Sequence, residues 1–127
     1  MKADLPRFLA IMALALSPLL TSTAAFAIDS DPLLAYKKLE RGAMAGDYQD
    51  QRNLAFALTG GYGSEIPKNP ILACAWRLVI LASGDRRVDE GDVGNKQLYC
   101  DKRLDADSQA AAKAQAEKLT RQIKDRR

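Results

Sequence analysis

The side chains best suited to proton transfer are four carboxylates close together in the chain, Asp85, Asp89, Glu90 and Asp92. Two carboxylates can act as general acid and general base when their surroundings separate their pKa values. The spacing here does not fit a helix-loop-helix calcium site, and the polar residues around the cluster favour a solvated loop. An envelope enzyme with Asp89, Glu90 or Asp92 as proton carriers is therefore the less favoured alternative.

The sequence lacks the residue patterns that usually carry nucleophilic catalysis, zinc binding or phosphate binding. The sequence contains no histidine, which removes Ser-His and Cys-His nucleophile pairs and the commonest zinc ligand. No glycine-rich phosphate loop follows a strand, because no segment shows sustained strand alternation. We therefore expect a protein that is not an enzyme and has no catalytic residue, cofactor or metal site.

One charge stands out, Arg77, inside the otherwise apolar stretch 71–82. An arginine in such a helix must reach solvent or pair with a carboxylate, and Asp50 or Glu65 is the predicted partner. The adjacent Trp76 is predicted to be a core residue. Tyrosine and arginine are favoured anchors at binding surfaces, with ordinary packing and surface roles as the alternative. The candidate binding rim is Tyr48, Arg52, Tyr62 and Arg77.

The first 27 residues are built like an export signal. Lys2 and Arg7 supply the positive start, residues 8–20 supply the apolar middle, and Ala25-Phe26-Ala27 offers a cleavage point before Ile28. The alternative is an uncleaved anchor, but the apolar run is shorter than the roughly 20 residues that span a bilayer. We expect a signal peptide at 1–27, one domain at 28–127, and a mature protein without stable membrane insertion, in the bacterial periplasm or secreted.

The two cysteines, Cys74 and Cys100, both lie in the exported part. An even count in an oxidising compartment predicts a disulfide, with two unpaired thiols as the alternative. The mature part has a net charge of about +2 that is well mixed along the chain. This balance predicts no nucleic-acid partner.

Helix boundaries are visible in a repeated phrase, residues 31–47 and 69–85. Asp31-Pro32 and Asn69-Pro70 are cap-and-proline starts, and Gly46 and Gly84 suit helix ends. Each copy predicts a helix of about 13 to 14 residues. The second copy is the more apolar, so it should lie at the centre and the first at an edge.

Two further long helices are predicted, one capped by Asp47 and one by Asp105, with a short helical piece between 96 and 104. In the last helix, four apolar residues recur at spacings of four, three and four: Ala112, Ala116, Leu119 and Ile123. The predicted fold is all-α, a short α-solenoid-like bundle of antiparallel helix pairs with about four to five helices and one disulfide.

With these residues in place, the chain resembles a Sel-one-like repeat, a family of α-solenoids related to tetratricopeptide repeats. The matching positions are Gly46, Asp47, Gln51 and Leu54 in one helix, Gly61, Gly63, Ile66 and Lys68 in the connector, and Asn69, Ala73, Trp76 and Gly84 in the next helix. Asp31, Ala35, Ala43 and Gly46 resemble the second helix of a preceding, truncated unit. The chain departs from the pattern at Lys38, Asp50, Ala55, Ile80 and Leu81.

The resemblance implies a module that binds through its surface. We expect a non-enzymatic exported helical-repeat protein that mediates protein-protein interaction or scaffolding in the cell envelope, with a protein partner there. A small inhibitor or immunity-type partner of a secreted enzyme is the main alternative.

Overall fold

A computed structural model of the protein describes residues 31–61, 63 and 65–127. The predicted signal peptide, 1–27, and Tyr62 of the candidate rim lie outside the described residues. The described part is all helical, as the sequence predicts. Its elements are α1 (Pro32–Met44), α2 (Tyr48–Leu58), α3 (Pro70–Ala82), α4 (Glu90–Lys96), a π-helical segment (Gln97–Lys102) that continues α4, and α5 (Ala106–Asp125). None of these helices is both long enough and apolar enough to cross a membrane.

The repeated phrase forms two helices of equal length, 13 residues each. Asp31 and Asn69 cap them, accepting backbone N–H bonds of 2.9 and 3.0 Å. Gly46 and Gly84 follow the helix ends with φ of 89° and 71°, a left-handed conformation that is strained for a residue with a Cβ. The predicted starts and stops are therefore those of the structure.

The two copies differ in burial. Only Ala43 is buried in α1, whereas seven residues of α3, including Trp76, are buried. Helix α3 packs against α2, α4, α5 and the π-helical segment, while α1 packs mainly against α2. The more apolar copy is central because it has neighbours on most sides.

Helices α1 and α2 form a closely packed hairpin. The side-chain amide of Gln51 donates to the Ala43 carbonyl at 3.1 Å, which satisfies a carbonyl at the end of α1. A Cβ at Gly42 would overlap the carboxylate of Asp50. Asp50 is therefore packed against α1.

The predicted disulfide is present. Cys74 of α3 and Cys100 of the π-helical segment are joined, with Cα atoms 5.3 Å apart. Both are almost fully buried and pack with Ala112 of α5. Closing a loop with a sequence separation of 26 stabilises the fold by about 3 kcal/mol in the chain-entropy model. The bridge fastens the π-helical segment to the central helix.

Candidate functional site

The acidic stretch begins a helix, so the predicted solvated loop is wrong in its second half. Asp89 caps α4, and the pair Asp89 and Asp92 exchange backbone-to-carboxylate hydrogen bonds of 3.1 Å in each direction. This reciprocal capping box satisfies two N–H groups that the helix start would leave unpaired. The side chain of Asp92 is only 4% exposed.

Asp92 also receives two groups from α2. Nε of Arg52 lies 3.2 Å from its Oδ1, and the hydroxyl of Tyr48 lies 2.7 Å from its Oδ2. The same hydroxyl lies 2.9 Å from the carbonyl oxygen of Arg87 and accepts a 3.0 Å bond from Arg52 Nη1. Burial, followed by the hydrogen bond with Asp92, raises the pKa of Tyr48. We call Tyr48, Arg52, Arg87, Asp89 and Asp92 the α4 junction.

The remaining arginine of the junction, Arg87, is held in place by a residue of the loop before α4. The guanidinium of Arg87 lies 4.8 Å from the centre of the Tyr48 ring and forms a two-bond pair with Asp85, with N···O distances of 2.9 and 3.0 Å. Hydrogen bonds from Arg87 lower the pKa of Asp85 to about 2. Every charge of the junction therefore has a partner of opposite sign or a helix-capping role.

Beside the junction, a polar cleft of about 420 Å³ opens between α2, α3 and the α4 region. Its lining residues, which define the Arg77 cleft, are Gln49, Arg52, Asn53, Phe56, Arg77, Asn95 and Tyr99. Arg52 belongs to both sites. The cleft therefore lies between the α1–α2 hairpin and the π-helical segment that the disulfide links to α3.

Arg77 is the unusual residue of this cleft. It is 6% exposed, and its buried Nε has no hydrogen-bond partner among the described residues. The hypothesis that it pairs with Asp50 or Glu65 is wrong. Asp50 packs against Gly42, and Glu65 lines a different cleft on the α1 side, beside Tyr36.

What Arg77 contacts instead is an aromatic ring. Its Cζ lies 4.2 Å from the centre of the Tyr99 ring, and Arg103 approaches the same ring at 4.6 Å. Such a contact contributes about 2 kcal/mol when it is desolvated, whereas removing a charge from water costs several kcal/mol. Burial accordingly lowers the pKa of Arg77, although a guanidinium stays charged at neutral pH. Arg77 therefore keeps hydrogen-bonding capacity that the fold does not use.

Most of the groups that the sequence offers for bond chemistry are already engaged in the structure. Both cysteines are in the disulfide, and the described residues contain no group of three or more side chains that could hold a metal ion. Asp89 and Asp92, the proposed proton carriers of the enzyme alternative, are engaged in capping α4. Glu90 lies exposed in its first turn.

A larger groove of about 730 Å³ lies between α3, the π-helical segment and α5. Its floor includes the disulfide, Leu78 and Ala116, and its rim charges Lys96 and Asp101 pair with each other at 3.0 Å. None of the described residues that line it has a buried side-chain polar atom without a partner. The groove thus lacks the unused hydrogen-bonding group that marks the Arg77 cleft.

The structure brings most of the candidate rim together. Tyr48 and Arg52 are in the junction, and Arg52 and Arg77 line the cleft. The sequence reasoning missed Tyr99 and the amides Gln49, Asn53 and Asn95. A signal for Tyr99 existed, because it precedes Cys100, whose disulfide partner Cys74 lies three residues before Arg77 on the same helix face.

No family model, no curated protein and no solved structure matches the chain. The function is therefore inferred from the geometry of the cleft.

Proposed function

We propose that the mature chain is an exported, non-enzymatic helical module that binds a protein partner in the cell envelope through the Arg77 cleft. The observation that carries this proposal is the buried guanidinium of Arg77, whose Nε has no partner among the described residues although it lines an open cleft. A buried polar group without a partner costs stability. Such a cost is commonly retained at a functional site.

Four further features support export and binding. The N-terminal sequence is built like a signal peptide, and the disulfide suits an oxidising compartment. The resemblance to Sel-one-like repeats favours a surface that contacts proteins. Phe56, Tyr99 and Arg52 at the cleft are of the residue types that dominate binding energy at protein interfaces.

Site-specific photo-crosslinking in intact cells tests the proposal. A photo-reactive amino acid replaces exposed Phe56 at the cleft or, as a matched control, exposed Leu34 on α1, which are 46% and 50% exposed. We expect a discrete crosslinked protein from position 56, lost when Arg77→Met is added, and none from position 34. Absence of a crosslink at position 56, or the same product from both positions, would contradict the proposal.

A further inference from the structure

Arg77 differs from the other buried charge of the described residues in what surrounds it. Asp92 has hydrogen bonds from Tyr48 and the Asp89 backbone and an ion pair with Arg52. Among the described residues, Arg77 contacts the face of Tyr99, and its Nε has no hydrogen-bond partner. A ring contacts the flat face of a guanidinium and leaves the N–H groups in its plane available. The ring therefore helps to fix the guanidinium of Arg77, a residue that lines the cleft.

The charges of the cleft indicate the charge of the ligand. Arg52 is compensated by Asp92, with a 3.2 Å contact between Nε and Oδ1. Arg103 reaches Tyr99 from an exposed position. Asp92, already paired with Arg52, also attracts Arg77 electrostatically, but no described carboxylate forms an ion pair with the Arg77 guanidinium, which keeps one positive charge. A ligand of single negative charge matches it better than a doubly charged phosphate.

The shape of the donors indicates the same group. A guanidinium presents two parallel N–H groups that match the two oxygens of a carboxylate. The amides of Gln49, Asn53 and Asn95 line the same cleft and can donate to further oxygens. The volume of about 420 Å³ accommodates a side chain or a chain end.

We propose that the Arg77 cleft binds one carboxylate group of the protein partner, held on the guanidinium of Arg77. The carboxylate belongs to an acidic side chain or to a carboxyl terminus, which share this chemistry. The inference rests on the proposed function, because it names the group that the partner supplies. Arg77 is the binding residue, and Tyr99 positions its guanidinium.

A titration of the full mature protein, followed by the NMR signal of the Arg77 Nε–H group, tests the inference. The first two probes are a tripeptide with one glutamate and both ends blocked, and the same peptide with glutamine in place of glutamate. The third is a peptide that is blocked at its amino terminus only, so that its carboxyl terminus is free. The fourth is inorganic phosphate. We expect saturable movement of the Arg77 signal with at least one carboxylate peptide, and none with the glutamine peptide. The carboxylate that binds more tightly identifies the source. The Nε–H signal of exposed Arg86 should not move.

Two variants distinguish the contribution of the two parallel N–H groups of Arg77 from that of its charge. Arg77→Lys keeps the charge but loses the two-pronged geometry, and should weaken binding, followed by the backbone amide signal of Tyr99, by roughly 10-fold or more. Arg86→Gln removes a similar charge elsewhere and should leave binding unchanged. Equal movement with the glutamine peptide, no movement with any carboxylate, or tighter binding of phosphate would overturn the inference.

The inference and the proposed function can fail separately. A crosslink at position 56 without carboxylate binding would support the proposed protein-binding module and contradict the carboxylate site. Carboxylate binding without any crosslink would support the carboxylate site and contradict a protein partner.

Discussion

Two neighbouring sites use arginine in opposite ways. In the α4 junction, Arg52 meets the buried carboxylate of Asp92 at 3.2 Å and donates to Tyr48 at 3.0 Å. In the cleft, Arg77 is more deeply buried, yet its Nε has no partner among the described residues. Burial alone therefore does not decide whether an arginine is paired within the fold.

The difference lies in what each arginine does for the fold. Arg52 compensates the carboxylate of Asp92, which would otherwise be buried without a counter-charge. Removing Arg52 therefore lowers the free energy of unfolding. Arg77 forms no ion pair with any described carboxylate, although Asp92 attracts it electrostatically, so its own burial costs stability. The junction stabilises the start of α4, whereas Arg77 has a buried Nε without a partner among the described residues, at a cost in stability.

The largest expected effect comes from the disulfide that holds one side of the cleft. In the double variant Cys74→Ser and Cys100→Ser, we expect the free energy of unfolding to fall by about 3 kcal/mol, because the unfolded chain loses its crosslink. Urea unfolding of the variant against the oxidised wild type measures the loss. Amide exchange should rise more in residues 97–102, next to the cleft, than at the capped start of α4. A loss below about 1 kcal/mol would contradict the importance of the bridge.

The next effect comes from the junction. Asp92→Ala should lower the free energy of unfolding by about 2 kcal/mol, because Arg52 loses its partner and the Asp89 N–H loses its acceptor. The matched control is Asp101→Ala, which breaks the exposed pair with Lys96 and should cost less than about 1 kcal/mol. Equal losses in urea unfolding of the two variants would show that burial of Asp92 adds nothing.

The smallest effect concerns acid stability at the edge of the junction. Hydrogen bonds from Arg87 hold the pKa of Asp85 at about 2 in the folded protein, below the ordinary value of 3.8. A depressed folded pKa stabilises the fold above the ordinary value, and that stabilisation is lost as the pH falls from about 4 to about 2. The stability difference between wild type and Asp85→Asn should therefore shrink over this range in urea unfolding. A difference that stays constant with pH would contradict the pairing.

The sequence predicted most of the fold because its signals are local. The caps Asp31, Asn69 and Asp105 are where the structure has them, and the apolar spacing that ends at Ile123 marks the buried face of α5. Export, the repeat family and the binding role stay predictions.

The site was harder to predict because it depends on distant contacts. Asp92 was assigned to a solvated loop, although the spacing from Asp89 is that of a capping box. Arg77 was expected to have a carboxylate partner, since a buried charge usually has one. Its contact with Tyr99 depends on the disulfide and on the π-helical segment, and no hydrophobic period specifies either.

Arg52 stabilises the fold by compensating a buried carboxylate, whereas Arg77 does not stabilise the fold. Urea unfolding of Arg52→Met and Arg77→Met, two variants with the same new side chain, tests this claim most directly. We predict a loss of about 2 kcal/mol for Arg52→Met, and for Arg77→Met a free energy of unfolding within about 1 kcal/mol of wild type or above it. A loss for Arg77→Met as large as that for Arg52→Met would contradict the claim.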